Sequence, residues 1–376
     1  MRAPALVTGT TGFIGREITR RLLRAGRPVL ALARGREGEP AAARVAGAVG
    51  YPPDGRQLDV VEADFDRAGC GLSRSDWRRL RTTVETVIHC AGDTSFFPEE
   101  PERFRRGHIE GPLELLGGLA RGRLRRWAQL STAYVCGTRS GTVFEREGDL
   151  GQDFHNPYER VKLESEVRLR AAGRRLGVDV RVFRPSIVVG EAPATSGGRP
   201  SSLFFDFLRL VEALTRFAGG SPLPLRIEAA PVAPFNIVPV EYVADAVIAL
   251  AEHPEGAGET FHLVVSAAPA QAVVLEMITG RFGLRGLSLV DSREGPLPDP
   301  SPLERRVARM LSGYREYLAQ DVRFDDAAAR ELLGDCGVEP PLLSRAMVHG
   351  LIDRALLTSP PETLAKPLAM SETERP

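Results

Sequence analysis

The sequence predicts an α/β protein, a doubly wound parallel sheet with a smaller, mostly helical C-terminal lobe. Three observations carry this prediction. Short apolar runs alternate with amphipathic stretches through the first half of the chain, the first run leads directly into a glycine turn and a helix, and the alternation stops near residue 190. Ala5-Leu6-Val7 reads as a strand, and Ile14, Ile18 and Leu22, spaced by four, as one face of the following helix. Pro28 to Ala33 is the second strand and Leu58 to Glu62 the third. Arg74 to Thr82 is helical, Thr86 to His89 is the fourth strand, a helix lies within Glu99 to Arg121, and Trp127 to Leu130 is the fifth strand. Tyr158 opens a long helix to about Leu176, and Val178 to Phe183 is a strand ending before Arg184-Pro185. Residues 190 to 234 are rich in Gly, Pro and Ser, with one apolar helix at Leu203 to Phe217. Phe235 to Val238 and Val240 to Ala251 read as a return to the main sheet. The last third, about 265 to 357, is mostly helical, with Ser301-Pro302 opening one helix and Pro340-Pro341 another.

These elements divide the chain into a nucleotide-binding domain, residues 1–190 with 235–263 returning to it, and a second lobe built from 191–234 and 264–358. Residues 359–376 read as a polar, proline-rich tail. Charge is balanced, 49 basic residues against 49 acidic, so no nucleic-acid partner is expected. No apolar stretch approaches the roughly 20 residues that span a bilayer, and Met1-Arg2 runs straight into a strand with no leader-like segment. Cys70, Cys90, Cys136 and Cys336 are scattered and form no Cys-x-x-Cys, so no metal site or disulfide framework is predicted and a cytoplasmic setting fits.

The turn Thr8-Gly9-Thr10-Thr11-Gly12-Phe13-Ile14-Gly15 lies between the first strand and the first helix. Glycines there let a pyrophosphate approach backbone NH groups and let helix pack on strand, while the helix N-terminus supplies positive potential. Gly9, Thr11, Gly12, Phe13, Ile14 and Gly15 are therefore candidate dinucleotide contacts. Arg34 ends the second strand, where an acid would bind the ribose of NAD; an arginine attracts a 2'-phosphate instead and selects NADP. Arg44 is a second candidate contact to that phosphate. Asp64 is placed to accept from the adenine amino group with Phe65 beside the ring, and Ala91 and Gly92 bring small residues against the cofactor. His89 and Cys90 read as core residues.

Lys162 is one of only two lysines, the other being Lys366, in a chain that otherwise meets its need for positive charge with arginine. A site that keeps lysine wants a compact, flexible ammonium with three donors and not a planar fork. It follows Tyr158 by four residues, which on a helix puts both on one face. The expectation is that the ammonium lowers the Tyr158 pKa and prepares the phenol for proton transfer.

Thr-Gly-x-x-Gly-x-x-Gly at 8–15, Tyr-x-x-x-Lys at 158–162 and Arg184-Pro185 stand in the order and spacing of the extended short-chain dehydrogenase/reductase family, which residues 3 to 265 resemble. That resemblance implies a Rossmann domain with a C-terminal substrate lobe, and a hydroxyl residue after the fifth strand as partner to the tyrosine. In Leu130-Ser131-Thr132-Ala133-Tyr134-Val135-Cys136-Gly137, matching the family's glycine to Gly137 puts Thr132 in the catalytic register and Ser131 one residue early. Pro185 and Ser186 fall among the implied cofactor contacts. Val161 stands where the family often has Ser, and Cys136 where many relatives have Tyr.

Within the family the wording is most similar to fatty acyl-CoA reductases and to thioester reductase domains that release acyl chains from carrier proteins. The similar segments are 131–135, 158–160, 184–190 and Asn236 to Ala246. The resemblance implies an NADPH-dependent reductase acting on an acyl thioester, carried by coenzyme A or a carrier protein, or on the derived aldehyde. It also implies homodimers formed through helices flanking the sheet. Hydride would go to the carbonyl carbon, with Tyr158 as proton donor, Lys162 binding the nicotinamide ribose and Thr132 orienting the carbonyl. The loop at 190–202 and Phe204, Phe205, Phe207 and Leu208 are candidate borders of an acyl channel, with plain core packing as the other reading of the four side chains. Two rivals stand beside this account. One keeps the chemistry on a ketone, a hydroxysteroid-type alcohol or a nucleotide sugar (epimerase or dehydratase); the other is an NADP sensor without turnover, which has no need of Thr132, Tyr158 and Lys162 together.

Overall fold

The computed structural model describes residues 3–190 and 203–357. Seven strands form one parallel sheet: β1 (Ala5–Thr8), β2 (Val29–Ala33), β3 (Leu58–Glu62), β4 (Thr86–His89), β5 (Arg126–Leu130) and, beyond the short β6 (Gly141–Val143), β7 (Asp179–Pro185) and a later strand at Thr260–Leu263. The shorter strands outside it are β8 (Ile187–Val189), β9 (Leu225–Ala229) and β10 (Ile237–Pro239); the sheet's last strand is then β11, followed by β12 (Leu287–Asp291) and β13 (Val322–Phe324). The order across the main sheet is β11-β7-β5-β4-β1-β2-β3. From β1 the chain winds outward through β2 and β3, then returns to the other side at β4, so β1 and β4 are neighbours at the switch point, with Thr8 opposite His89. A crevice opens there beyond the carboxyl ends of the strands, where such sheets bind ligands.

Burial on both faces explains why these strands read as unbroken apolar runs. Ala5 and Val7 of β1 join the same core cluster as Val29, Ala31 and Ala33 of β2. Leu6, Leu30 and Leu32 point to the opposite face and join a second cluster. The first cluster is covered by helices Phe13–Arg24, Ala41–Val49 and Val240–Glu252, the second by Arg74–Thr83, Gly111–Leu119 and Pro157–Leu176. The long helix begins with Asn156, whose side chain accepts from Glu159 N at 3.1 Å, and Pro157 occupies its first turn; it ends at Gly177 in the left-handed conformation.

A third cluster, separate from both, unites Phe204, Leu208 and Val211 of helix Leu203–Ala218 with Ile227 of β9, Val274 and Ile278 of helix Gln271–Phe282, and Val348 and Ile352 of helix Arg345–Leu357. Predicted helices at 203–217 and after Ser301 are present, the latter with a capping box between Ser301 and Glu304.

Several expectations need correction. The segment 237–239 does not enter the main sheet: β10 pairs in parallel with β8 as a separate two-stranded sheet, and it is β11 that returns to the edge beside β7. The mostly helical last third contains β12 and β13, which pair in parallel with β9 and β6. Strands of the same length in the main sheet show as apolar runs because both faces are buried, whereas β12 has no buried residue, β13 exposes its middle one, and their pairing comes from distant partners. The last helix starts at Arg345, not at Pro340-Pro341, because the chain takes four more residues to reach a capping hydroxyl, Ser344, which accepts from Met347 N at 3.2 Å. Met1-Arg2, the 191–202 part of the loop and the 359–376 tail lie outside the described residues. No helix among the described residues is long and apolar enough to cross a membrane.

Arg184, near the end of β7, meets Glu166 through two bonds of 3.1 and 2.6 Å, and both side chains are buried. Its remaining NH1 donates to Glu147 O at 2.7 Å. A buried pair adds little net stability over an apolar replacement, but a buried charge without its partner costs about 3–5 kcal/mol. Glu166→Gln is therefore expected to lower the unfolding free energy measured by urea denaturation by about 3–5 kcal/mol, and an unchanged value would show that Arg184 finds another counter-charge.

Candidate active site

A cleft of about 710 Å³ opens at the switch point, lined by Gly9, Thr10, Thr11 and Gly12 on one side and Cys90, Ala91 and Gly92 on the other. Gly9 holds φ +70°, and a Cβ on Gly15 would lie 2.3 Å from Gly9 O, so the turn closes tightly only with glycine at both positions. Thr8 ties the two sides together: its hydroxyl oxygen accepts from Cys90 N at 3.2 Å and Ala91 N at 3.1 Å and donates its own hydrogen to His89 Nδ1, 2.9 Å away. Burial pushes His89 down to about 3, so it is neutral and satisfied, as a core residue should be. The helix beginning at Phe13 has no side-chain cap, and Thr10 Oγ1 is buried without a hydrogen-bond partner. Uncapped helix NH groups and an orphaned hydroxyl fit an anionic, oxygen-rich ligand group such as a pyrophosphate.

The far end of the cleft is arginine-rich. Arg34, Arg36, Arg44, Asp64, Phe65, Asp66 and Arg103 all line it. Arg44 donates to the Arg34 carbonyl, and Arg34 lies 3.7 Å from Asp64 and 2.9 Å from Asp66. Of the predicted cofactor residues, Gly9, Thr11, Gly12, Arg34, Arg44, Asp64, Phe65, Ala91 and Gly92 thus line one cavity. Phe13, Ile14, Gly15, Tyr158, Lys162, Pro185 and Ser186 do not. Gly15 packs against the turn, Ile14 against the core, and Ser186 Oγ donates to Asn236 Oδ1 at 2.7 Å. Thr10, Arg36, Asp66 and Arg103 are cleft residues that sequence reasoning passed over, although the first three stand within two residues of singled-out positions.

His108 carries the cleft toward Tyr158: it lines the cavity, and its ring centroid is 6.2 Å from that of Tyr158. It sits in a single π-helical turn, Arg106–Glu110, between helices Pro101–Arg105 and Gly111–Leu119. Its Nε2 donates to Asp93 O at 2.7 Å, and burial pushes it down to about 3, so the ring is neutral. A Cβ on Gly92 would come within 2.6 Å of this ring, which explains the glycine there.

Tyr158 and Lys162 occupy the first turns of the long helix. Lys162 is 6% exposed, and its Nζ donates to the carbonyl of Leu130, the last residue of β5, at 2.6 Å. That places the ammonium two residues from Thr132, whose Oγ1 accepts from Tyr134 N at 3.3 Å and caps a short 3-10 turn. Ser131 Oγ is buried without a hydrogen-bond partner. Gly137 takes φ +60°, and a Cβ there would sit 1.9 Å from Asp153 O, so this turn needs its glycine.

The electrostatics differ from expectation in one respect. Burial is the largest influence on Tyr158 and, with Glu159 and Asp93 adding to it, holds the phenol above its ordinary value; Lys162 does not produce a net lowering. The ammonium is turned toward a carbonyl, 6.0 Å from the ring centroid, and burial pulls its own pKa down to about 8, with Glu166 opposing. Such a tyrosine is a protonated donor at neutral pH, beside a cation able to receive the charge left behind.

The C-terminal lobe reaches this site. Tyr317 stacks on Phe96 at 5.4 Å, Phe96 lies 6.2 Å from Tyr158, and the Tyr317 hydroxyl donates to the fully buried Glu159 at 2.5 Å. Phe204, Phe205 and Leu208, by contrast, are packed in the lobe's own core, which is the plainer of their two readings, with Phe207 against it.

A family model for NAD-binding proteins, described as male sterility protein, matches residues 7–247. A carboxylic acid reductase of Mycobacterium tuberculosis is 28% identical over 283 residues, 69% of this chain and 24% of that protein. The chain spans between 18% and 24% of the length of the carboxylic acid reductases it matches. The terminal R domain from the myxalamid PKS-NRPS biosynthetic pathway superposes with a TM-score of 0.74 at 20% identity, covering 94% of this chain and 91% of that one. A thiolation-reductase di-domain from an archaeal non-ribosomal peptide synthetase superposes at 0.71 and 17% identity, covering 94% and 75%. The two superpositions establish a shared fold.

Proposed function

Because the chain belongs to the male sterility protein family, a branch of the extended short-chain dehydrogenases/reductases whose members are NAD(P)-dependent oxidoreductases, we propose that it reduces acyl thioesters with NADPH. The acyl group would be carried by coenzyme A or by a carrier protein, in the cytoplasm, and the product would be the aldehyde or, after a second round, the alcohol. The observation that carries the reading is that Tyr158 lies 6.2 Å, ring to ring, from His108 at the edge of the cleft, while Lys162, one helical turn on, is fastened to the end of β5 two residues before Thr132. Of the described residues, we assign 3–190 and 235–263 to cofactor binding and 203–234 and 264–357 to the substrate lobe.

Gly9, Thr11 and Gly12 would hold the pyrophosphate, Asp64 and Phe65 the adenine, and Arg34 and Arg44 the 2'-phosphate. NADPH supplies a hydride to the carbonyl carbon when bound. Tyr158 gives its proton to the carbonyl oxygen, the Lys162 ammonium stabilises the phenolate that remains, and the Thr132 hydroxyl holds the oxygen in line with Tyr158. The resulting hemithioacetal collapses to aldehyde and free thiol, so one thioester, one NADPH and one proton yield one aldehyde, one thiol and NADP.

The test is a panel of acyl-CoA thioesters, aldehydes and ketones with NADPH or NADH, followed by nicotinamide absorbance. Oxidation of NADPH by thioesters or aldehydes is expected. Activity confined to ketones would reject the thioester assignment, and activity confined to NADH would reject the role of Arg34.

A pH dependence follows from Lys162. Its pKa is lowered from 10.5 to about 8, so the ammonium is present below that value and lost above it. Turnover is expected to fall as pH rises through about 8. The linked effect on folding has the opposite sign: between about 8 and 10.5 the unfolded chain binds the proton and the folded chain does not, so this group favours folding increasingly as pH rises across that window. A kcat flat to well above pH 8 would mean that the ammonium is not needed.

A further inference from the structure

At the arginine-rich end of the cleft two guanidiniums share one carboxylate. Asp66 Oδ2 accepts from Arg34 NH1 at 2.9 Å and from Arg103 Nε at 2.7 Å. The two guanidiniums come from unrelated elements, the end of β2 and helix Pro101–Arg105, yet they converge on a single carboxylate oxygen inside the cofactor cleft. Asp66 is itself held: its NH donates to Asp64 Oδ1 at 3.1 Å, and its carbonyl accepts from Arg106 Nε at 2.9 Å.

Resting on the NADP reading of Arg34, we propose that Arg103 is a further contact to the 2'-phosphate and that Asp66 is the internal competitor that sets NADPH affinity. A carboxylate oxygen bridging two arginines occupies the place a phosphate oxygen would take. A phosphomonoester carries close to two negative charges and three acceptor oxygens, against one charge and two oxygens for Asp66, so it can satisfy both forks more fully. The exchange costs little, because Arg34 and Arg103 are about half exposed and the remaining bond from Arg103 to Glu100 is long, at 3.4 Å. Arg36 and Arg44 line the same end of the cleft and add to the field that draws a dianion. A dinucleotide without the 2'-phosphate has nothing to displace Asp66 with, so Asp66 bears on the choice between cofactors and not on dinucleotide binding in general.

The consequence can be read without turnover, by calorimetric titration of the purified protein with adenosine 2',5'-bisphosphate and with adenosine 5'-monophosphate. Arg103→Ala is expected to weaken the bisphosphate about tenfold, the monophosphate less than about twofold. Asp66→Asn removes the competing charge and is expected to tighten the bisphosphate about threefold or more. A misfolded variant cannot produce that gain. Unchanged bisphosphate affinity in Arg103→Ala, or weaker binding in Asp66→Asn, overturns the inference. Arg34→Ala separates it from its premise: if that variant loses bisphosphate affinity while Arg103→Ala does not, NADP selection stands and the role of Arg103 falls. If Arg34→Ala has no effect, both fall.

Discussion

Tyr158→Phe is expected to lower kcat for thioester reduction by roughly 10²–10⁴-fold, the range that a positioned proton donor contributes, while leaving NADPH affinity within about twofold. The substitution removes one oxygen and keeps the ring, so the contacts with Phe96 and His108 survive and the helix start at Asn156 and Pro157 is untouched. Burial keeps this phenol protonated, so what is lost is a donor and not a charge. The effect should therefore appear in kcat, with stopped-flow traces showing normal cofactor binding and slow hydride transfer. Turnover within a few-fold of wild type would mean that the proton reaches the carbonyl oxygen from elsewhere, with water the first alternative to examine.

Lys162→Arg should be almost as damaging, about 10²-fold in kcat, although the charge is preserved. The ammonium sits in a 6%-exposed site with one donor on Leu130 O at 2.6 Å, leaving two donors that the proposed mechanism gives to the nicotinamide ribose. A guanidinium is planar and larger, and it cannot keep the Leu130 bond without moving either the end of β5 or the first turns of the helix. Lys162→Met separates charge from shape. The fold disfavours this ammonium, as its pKa near 8 shows, so the neutral variant should melt at or above the wild-type temperature while remaining inactive. A Met variant that is both inactive and strongly destabilised would point to a structural role instead.

The parallel sheet and the glycine turn were legible because local pattern and global fold agree there: strands buried on both faces read as apolar runs, and Gly9 and Gly15 are required by a single close approach. The long helix was legible from Tyr158 onward, with Tyr158 and Lys162 spaced to share one face; its true start, the Asn156 cap and Pro157, came only with the structure. What stayed hidden depends on distant pairing. β12 and β13 are not buried along their length and so show no unbroken apolar run, and β10 takes β8 as its partner and not the main sheet. The direction of the Tyr158 pKa was misjudged for a related reason. Helical spacing showed that the ammonium stood near the ring, but not that Leu130 would hold it or that burial would outweigh it. Arg103 and Tyr317 escaped notice because nothing in their neighbourhoods marks them; only the fold carries one to the cofactor cleft and the other to Glu159.

The reaction proposed for this chain couples NADPH oxidation to cleavage of an acyl thioester. Its most direct test is to follow nicotinamide absorbance and free thiol together in one reaction with limiting acyl-CoA. Thiol is expected to appear only as NADPH is consumed, one NADPH per thiol if reduction stops at the aldehyde and two if it continues to the alcohol. Thiol release without NADPH oxidation, or NADPH oxidation without thiol release, would contradict it.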